Sequence, residues 1–129
     1  MDILTGKTPY GIFSYWRGDG IGNSIAAGEF WEPFLQPVFD CVKAGDVVVD
    51  VGANLGWYTI YAARRGAYVY AFEPCYEVFG LLKQNVEQNA VAHQVSLLPL
   101  ALYSTYESLI ANELGPENPA NQVFVDDGI

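Results

Sequence analysis

Positive charge is scarce in this sequence. Six Lys plus Arg stand against fifteen Asp plus Glu, a formal net charge of −9 over 129 residues. A compact acidic chain repels phosphate backbones, so nucleic acid and anionic membrane surfaces are expected to be excluded as partners. Histidine occurs once, at His93, and cysteine twice, at Cys41 and Cys75, with no Cys-x-x-Cys spacing. A structural zinc site needs four such ligands, so no metal is expected. The cysteines are read as buried free thiols of a reducing compartment. The opening MDILTGKTPYG has no basic region followed by an apolar run, and no stretch is long enough to span a bilayer. A cytoplasmic location is the expectation. The fragment Gly6-Lys7-Thr8 lacks the upstream glycine of a phosphate-binding P-loop.

What is present suits a globular fold. The chain is 51% apolar and 15% aromatic, which excludes general disorder and supplies a core for one domain. Residues 1–45 form a lead-in. Within it 10–16 predicts a strand, 17–23 a turn, and 30–42 a helix with apolar positions Phe34, Leu35, Val38, Phe39 and Val42. Residues 46–102 alternate strand, helix, strand, helix, strand. DVVVDV predicts a central strand covered on both faces, 56–65 a helix closed by Gly66, and AYVYAF the next strand. Pro74 opens a helix carrying Val78, Phe79, Leu82 and Val86, and 94–102 is the third strand, ended or kinked at Pro99. Residues 103–129 are weakly patterned, with a turn-rich stretch at 115–121 and a candidate fourth strand at 123–129. The alternation predicts a doubly wound, mostly parallel α/β sheet of Rossmann-like type.

The chemistry concentrates in VVVDVGANLGWYTIYAARRGAYVYAFEP. A dinucleotide-binding loop needs Gly-x-Gly-x-x-Gly, but Asn54 and Trp57 replace the second and third glycines after Gly52. They would block close approach of a pyrophosphate and close helix packing, so an NAD-type oxidoreductase is disfavoured. S-adenosylmethionine has no pyrophosphate. Asp50, at the end of the first strand, can face its cationic methionine end. Gly52 and Gly56 keep the turn open for a ligand against backbone. Glu73, at the end of the adjacent strand, can accept hydrogen bonds from ribose hydroxyls. His93 is read as a surface residue, Glu29 and Glu32 as solvent-exposed with reach to the ligand from the lead-in as the alternative, and Trp57 and Tyr58 as packing residues flanking the pocket.

Asp50 through Gly56, followed by Trp57-Tyr58 and then by Phe72-Glu73-Pro74, resembles the opening motif of the FkbM-type methyltransferases, a class I S-adenosylmethionine-dependent family. The resemblance extends over AAGEFWEP, VKAGDVVVDVGAN and VSLLPLALYS, about residues 20–104. It implies a cofactor-contact set of Asp50, Gly52, Ala53, Asn54, Gly56, Glu73, Pro74 and Ala101. It also implies O-methylation of a hydroxylated small molecule or sugar. The family's seven-stranded sheet and its later Asp-x-Glu-Gly run are not matched, so the expectation is the cofactor-binding part of such an enzyme. A homo-oligomer or a partner carrying the missing C-terminal strands is then expected. The alternative is a non-catalytic remnant that binds cofactor or forms oligomers. No catalytic base is assigned.

Overall fold

The computed structural model describes residues 2–102, 104, 109–113 and 122–126, the last two stretches as backbone alone. The chain opens with a hairpin of β1 (Ile3–Thr8) and β2 (Gly11–Trp16), antiparallel, with Thr8 opposite Gly11. α1 (Gly20–Ala27) follows, capped by Asp19, whose Oδ2 accepts the Gly22 N–H at 3.2 Å. β3 (Val47–Val51), β4 (Tyr68–Phe72) and β5 (Val95–Leu98) form a parallel sheet in that order. The crossovers are α3 (Trp57–Arg64) and α4 (Tyr76–Gln88). This is the expected Rossmann-like α/β arrangement. β6 (Leu109–Glu113) and β7 (Gln122–Asp126) pair antiparallel as a separate ladder. The candidate strand at 123–129 therefore extends no parallel sheet within the described residues, and the stretch 115–121 lies outside them.

Three elements depart from expectation. The 30–42 helix shrinks to a 3₁₀ turn, Pro33–Leu35, and one turn of α2 (Gln36–Phe39). Pro37 has no N–H to give the carbonyl of Pro33, and Phe34 and Val38 face solvent. The predicted turn at 17–23 is partly helix, because Asp19 caps it and glycine suits the contact. A Cβ on Gly22 would sit 2.3 Å from the Tyr15 ring. β1 was not foreseen. Its Gly6 admits Ile25, which a Cβ would meet at 2.8 Å.

DVVVDV is covered on one face only. Val69 and Ala71 of β4 are buried under α3 and α4, while Val47, Val49 and Val51 are more than half exposed beside the exposed Tyr68 and Tyr70. The expectation of two covered faces fails because the described helices of the sheet lie on one side.

The hairpin is fastened to the covered side by an amide ladder. Ser14 N–H donates to Asn85 Oδ1 (2.7 Å), and Asn85 Nδ2 donates to Ser14 O (2.9 Å). One helical turn on, Ile12 N–H donates to Asn89 Oδ1 (2.9 Å), and Asn89 Nδ2 donates to Ile12 O (2.6 Å). Four helical residues rise about 6 Å, and two strand residues about 6.6–6.8 Å. Asn85 on α4 and Asn89 at its C-cap therefore satisfy the edge of β2 as a further strand would. Asn85 Nδ2 also donates to Leu55 O (2.8 Å), in the loop after β3. Above this lies an aromatic cluster in which Trp57, 1% exposed, has Tyr10, Phe13 and Phe30 ring centroids at 5.7, 4.8 and 5.4 Å. No described helix is long and apolar enough to cross a membrane.

Asn85→Leu strands the Ser14 N–H, Ser14 O and Leu55 O in a buried setting. At about 1–3 kcal/mol for each buried orphan, a loss of at least ~3 kcal/mol is expected in urea denaturation followed by circular dichroism. A loss under ~1 kcal/mol would mean apolar packing alone holds the hairpin.

Candidate functional site

The ends of β3 and β4 carry a loop, residues 52–56, in which every second residue is left-handed. Gly52, Asn54 and Gly56 have φ of +74°, +54° and +97°. Gly52 and Ala53 N–H groups both donate to Phe72 O, at 2.8 and 2.9 Å, which hangs the loop on the end of β4. Asn54 holds its strained φ with its own amide, Oδ1 accepting the Leu55 N–H at 2.7 Å.

The two glycines do different work. A Cβ on Gly56 would lie 2.7 Å from Leu82 Cδ1, so Gly56 lets α3 start hard against α4. A Cβ on Gly52 would meet nothing within 4 Å, so Gly52 borders open space. Ala53 is buried and Pro74 half-buried. Ala101 is exposed, three residues beyond β5, and lies outside the hydrogen-bonded set around the loop.

Glu73 clamps this loop. Its Oε2 accepts the Asn54 N–H (2.9 Å) and its Oε1 the Cys75 N–H (3.0 Å). It is 7% exposed. Burial pushes its pKa up, the two N–H groups pull it back, and the charge of Asp50 raises it further. Asp50 accepts the Thr59 hydroxyl at 2.6 Å, and burial also raises its pKa against that bond. Each Glu73 oxygen keeps a lone pair beyond its backbone bond. The carboxylates are thus drawn together at the strand ends, beside open space at Gly52.

Glu32 is a further site residue that sequence reasoning placed in solvent. It is half-buried, holds φ of +51°, and accepts the Tyr58 hydroxyl on Oε2. Burial, that bond, and the charges of Glu32 and Asp50 raise the Tyr58 pKa. Its place before Pro33 favours extended backbone, so the left-handed conformation that turns it toward Tyr58 had no local signal. Glu29 is exposed, as expected. A cavity of about 480 Å³ opens beside Glu32, with Tyr10, Phe30, Trp31 and Glu29 in its walls. His93 is exposed at the opposite end of the sheet, by the start of β5. Cys75 is buried, but Cys41 is exposed, its Sγ donating to Pro37 O at 3.3 Å, because the helix meant to bury it is a single turn. Among the described residues no His, Cys, Asp and Glu cluster could hold a metal ion.

No family model matches the chain. It is 41% identical over 56 residues, 42% of its own length and 22% of the relative, to 31-O-demethyl-FK506 methyltransferase FkbM of Streptomyces tacrolimicus. It is 30% identical over 101 residues, 74% of its length and 21% of the relative, to the tRNA (guanine(37)-N(1))-methyltransferase of Danio rerio. The chain thus spans about a fifth of these relatives. The complex of aTrm5 with tRNALeu superposes with TM-score 0.59 at 20% identity, over 81% of this chain and 30% of that one. Methanocaldococcus jannaschii Trm5 in complex with adenosine superposes with TM-score 0.55 at 19% identity, over 74% and 29%. The likeness establishes a Rossmann-like α/β fold of methyltransferase type, and the chain spans under a third of those structures.

The tRNA methyltransferase relative and the structure solved bound to tRNA overturn the expected exclusion of nucleic acid as a partner. The physical reason lies in length. A net charge of −9 describes this stretch, and about four-fifths of the tRNA methyltransferase, with its own charges, lies beyond the match.

Raised carboxylate pKa values carry a definite sign. Between the ordinary values, 3.8 for Asp and 4.5 for Glu, and the raised ones, the folded state binds protons that the unfolded chain does not. Asp50 and Glu73 therefore cost stability at neutral pH, and that cost fades as pH falls through the raised values. Asp50→Asn keeps an acceptor for Thr59 without the charge. The melting-temperature advantage of this variant over the parent is expected to shrink between pH 7 and the ordinary carboxylate range. A gap independent of pH would show that Asp50 carries no burial penalty.

Proposed function

We propose that this chain, which has the Rossmann-like fold of the class I methyltransferases, is the cofactor-binding part of an S-adenosylmethionine-dependent methyltransferase whose acceptor is RNA. The observation that carries the reading is the Gly52–Gly56 loop, hung on β4 and clamped by a buried Glu73, with Asp50 beside it and open space over Gly52. The residues fit the cofactor by chemistry. Asp50 offers a negative charge for the ammonium end, Gly52 a bare backbone surface, and Glu73 its remaining lone pairs for ribose hydroxyls. When bound, the cofactor supplies a methyl group activated by a sulfonium. Trp57 fills the core where a dinucleotide loop needs glycine, which weighs against NAD. The adenosine complex of one structural relative supports a nucleoside at these strand ends. The tRNA methyltransferase relatives support RNA as acceptor.

The chain's own residues supply one further role. Glu32, fixed by the Tyr58 hydroxyl, is the carboxylate available to take the proton that an acceptor N–H or O–H gives up. Tyr58 is its positioning residue, and Asp50 and Thr59 sit on the same end of α3.

Calorimetry is expected to show binding of S-adenosylhomocysteine and none of NAD. The reverse preference would discard the assignment. Gly52→Val should remain folded, at a strain of about 1–2 kcal/mol for a left-handed residue, yet lose the ligand. Undiminished affinity would mean that the loop does not touch it. In the protein carrying this segment, Glu32→Gln is expected to slow methyl transfer to tRNA about 10²–10⁴-fold with little change in S-adenosylhomocysteine affinity. Equal turnover would remove Glu32 as proton acceptor. Transfer to hydroxylated small molecules in place of tRNA would overturn the RNA reading. Binding without any transfer would identify a remnant.

A further inference from the structure

Two concavities share one residue. The cavity beside Glu32 has Tyr10, Phe30 and Trp31 in its walls. A second cleft of about 250 Å³ is lined by Pro9, Tyr10, Tyr61, Arg64 and Arg65. Tyr10, in the turn between β1 and β2, stands between them. α3 runs beneath both. Tyr58, near its start, bonds Glu32 at the first cavity, and Tyr61 and Arg65 floor the second. From Tyr58 to Arg65 is on the order of 10 Å along the helix axis.

The ends of this trough differ in chemistry. Arg65 is pinned, its Nε donating to Val42 O (2.8 Å) and its Nη2 to Asp40 O (2.6 Å), with its guanidinium carbon 5.9 Å from the Tyr61 ring centroid. The Asp40 carboxylate accepts the Tyr61 hydroxyl. Arg64 is exposed. Arg64 and Arg65 thus bring two of the chain's six cationic residues to one cleft, with the Asp40 carboxylate beside its floor. At the other end the half-buried Trp31, whose ring would contact a Cβ on Gly20 at 3.5 Å, and Tyr10 offer flat aromatic surface.

We propose that this trough seats one nucleotide of a single-stranded RNA, its phosphate on Arg64 and Arg65 and its base stacked in the aromatic cavity beside Glu32. Basic groups that track a backbone next to aromatic faces that stack bases are the means by which proteins hold single-stranded nucleic acid. The arrangement rests on the RNA-acceptor reading above and names the surface by which that acceptor enters. It puts the base next to Glu32 and the backbone away from the acidic strand ends.

The test is fluorescence anisotropy of a short labelled RNA oligonucleotide on the 129-residue chain, with S-adenosylhomocysteine binding measured on the same preparations. Saturable RNA binding is expected. Arg64→Ala should weaken it at every sequence and lower the slope of log affinity against log salt by about 1. Trp31→Ala should weaken it about tenfold with the slope unchanged. Both variants should bind S-adenosylhomocysteine as the parent does. Arg64→Ala alone having an effect would make the cleft a plain anion site and overturn the proposal. Variants that both match the parent would overturn it too. S-adenosylhomocysteine binding without RNA binding would overturn the trough and leave the cofactor reading standing. Loss of both ligands would remove that reading, and the trough with it.

Discussion

Asparagine side chains acting as a strand are the constraint on which this fold depends. Asn85 and Asn89 give the edge of β2 the donor and acceptor pairs that a neighbouring strand would give. The hairpin touches the parallel sheet's helices through this ladder and the aromatic cluster above it. Asn85 also holds Leu55 O, so one side chain ties hairpin, helix and the Gly52–Gly56 loop together. A leucine there would add apolar area and still be worse, because buried backbone groups without partners cost more than a methyl group returns. The loop's place over the strand ends, and the place of Tyr10 above α3, both follow from this contact.

Glu73 shows how one buried carboxylate is reconciled with its surroundings. Burial opposes its charge, and two backbone N–H groups aimed at its two oxygens support it. The same bonds shape the turn, so charge and loop geometry form one arrangement. Glutamine, usually taken as the mild replacement, would point an NH₂ at one of two N–H donors. The second acidic residue of the motif thus folds the glycine turn.

The segment from β3 to β5 was legible because each signal in it is local. A β-branched run marks β3, Gly66 closes α3, Pro74 precedes α4, and Pro99 ends β5. The positions of Asp50, Gly52 and Glu73 at the strand ends were legible for the same reason. What was missed depends on distant partners. β1 needs Ile25 to explain Gly6, α1 needs Tyr15 to explain Gly22, and Glu32 needs Tyr58 to bring it out of solvent. The composition of β3 matches a strand covered twice, yet no local pattern tells whether the second cover lies within the same stretch of chain. Net charge misled about nucleic acid because it describes a stretch matching about a fifth of the tRNA methyltransferase, whose remaining charges lie beyond it.

The open face of the parallel sheet has a thermal consequence. The heat capacity of unfolding, about 12–15 cal/mol/K per residue in ordinary domains, comes mainly from apolar surface newly exposed to water. Val47, Val49, Val51, Tyr68 and Tyr70 already meet water in the native state, so this chain has less to expose than its composition suggests. Its stability curve against temperature is therefore flatter about its maximum than it would be with that face covered. Anything that covered those five side chains would raise that maximum and sharpen the curve together.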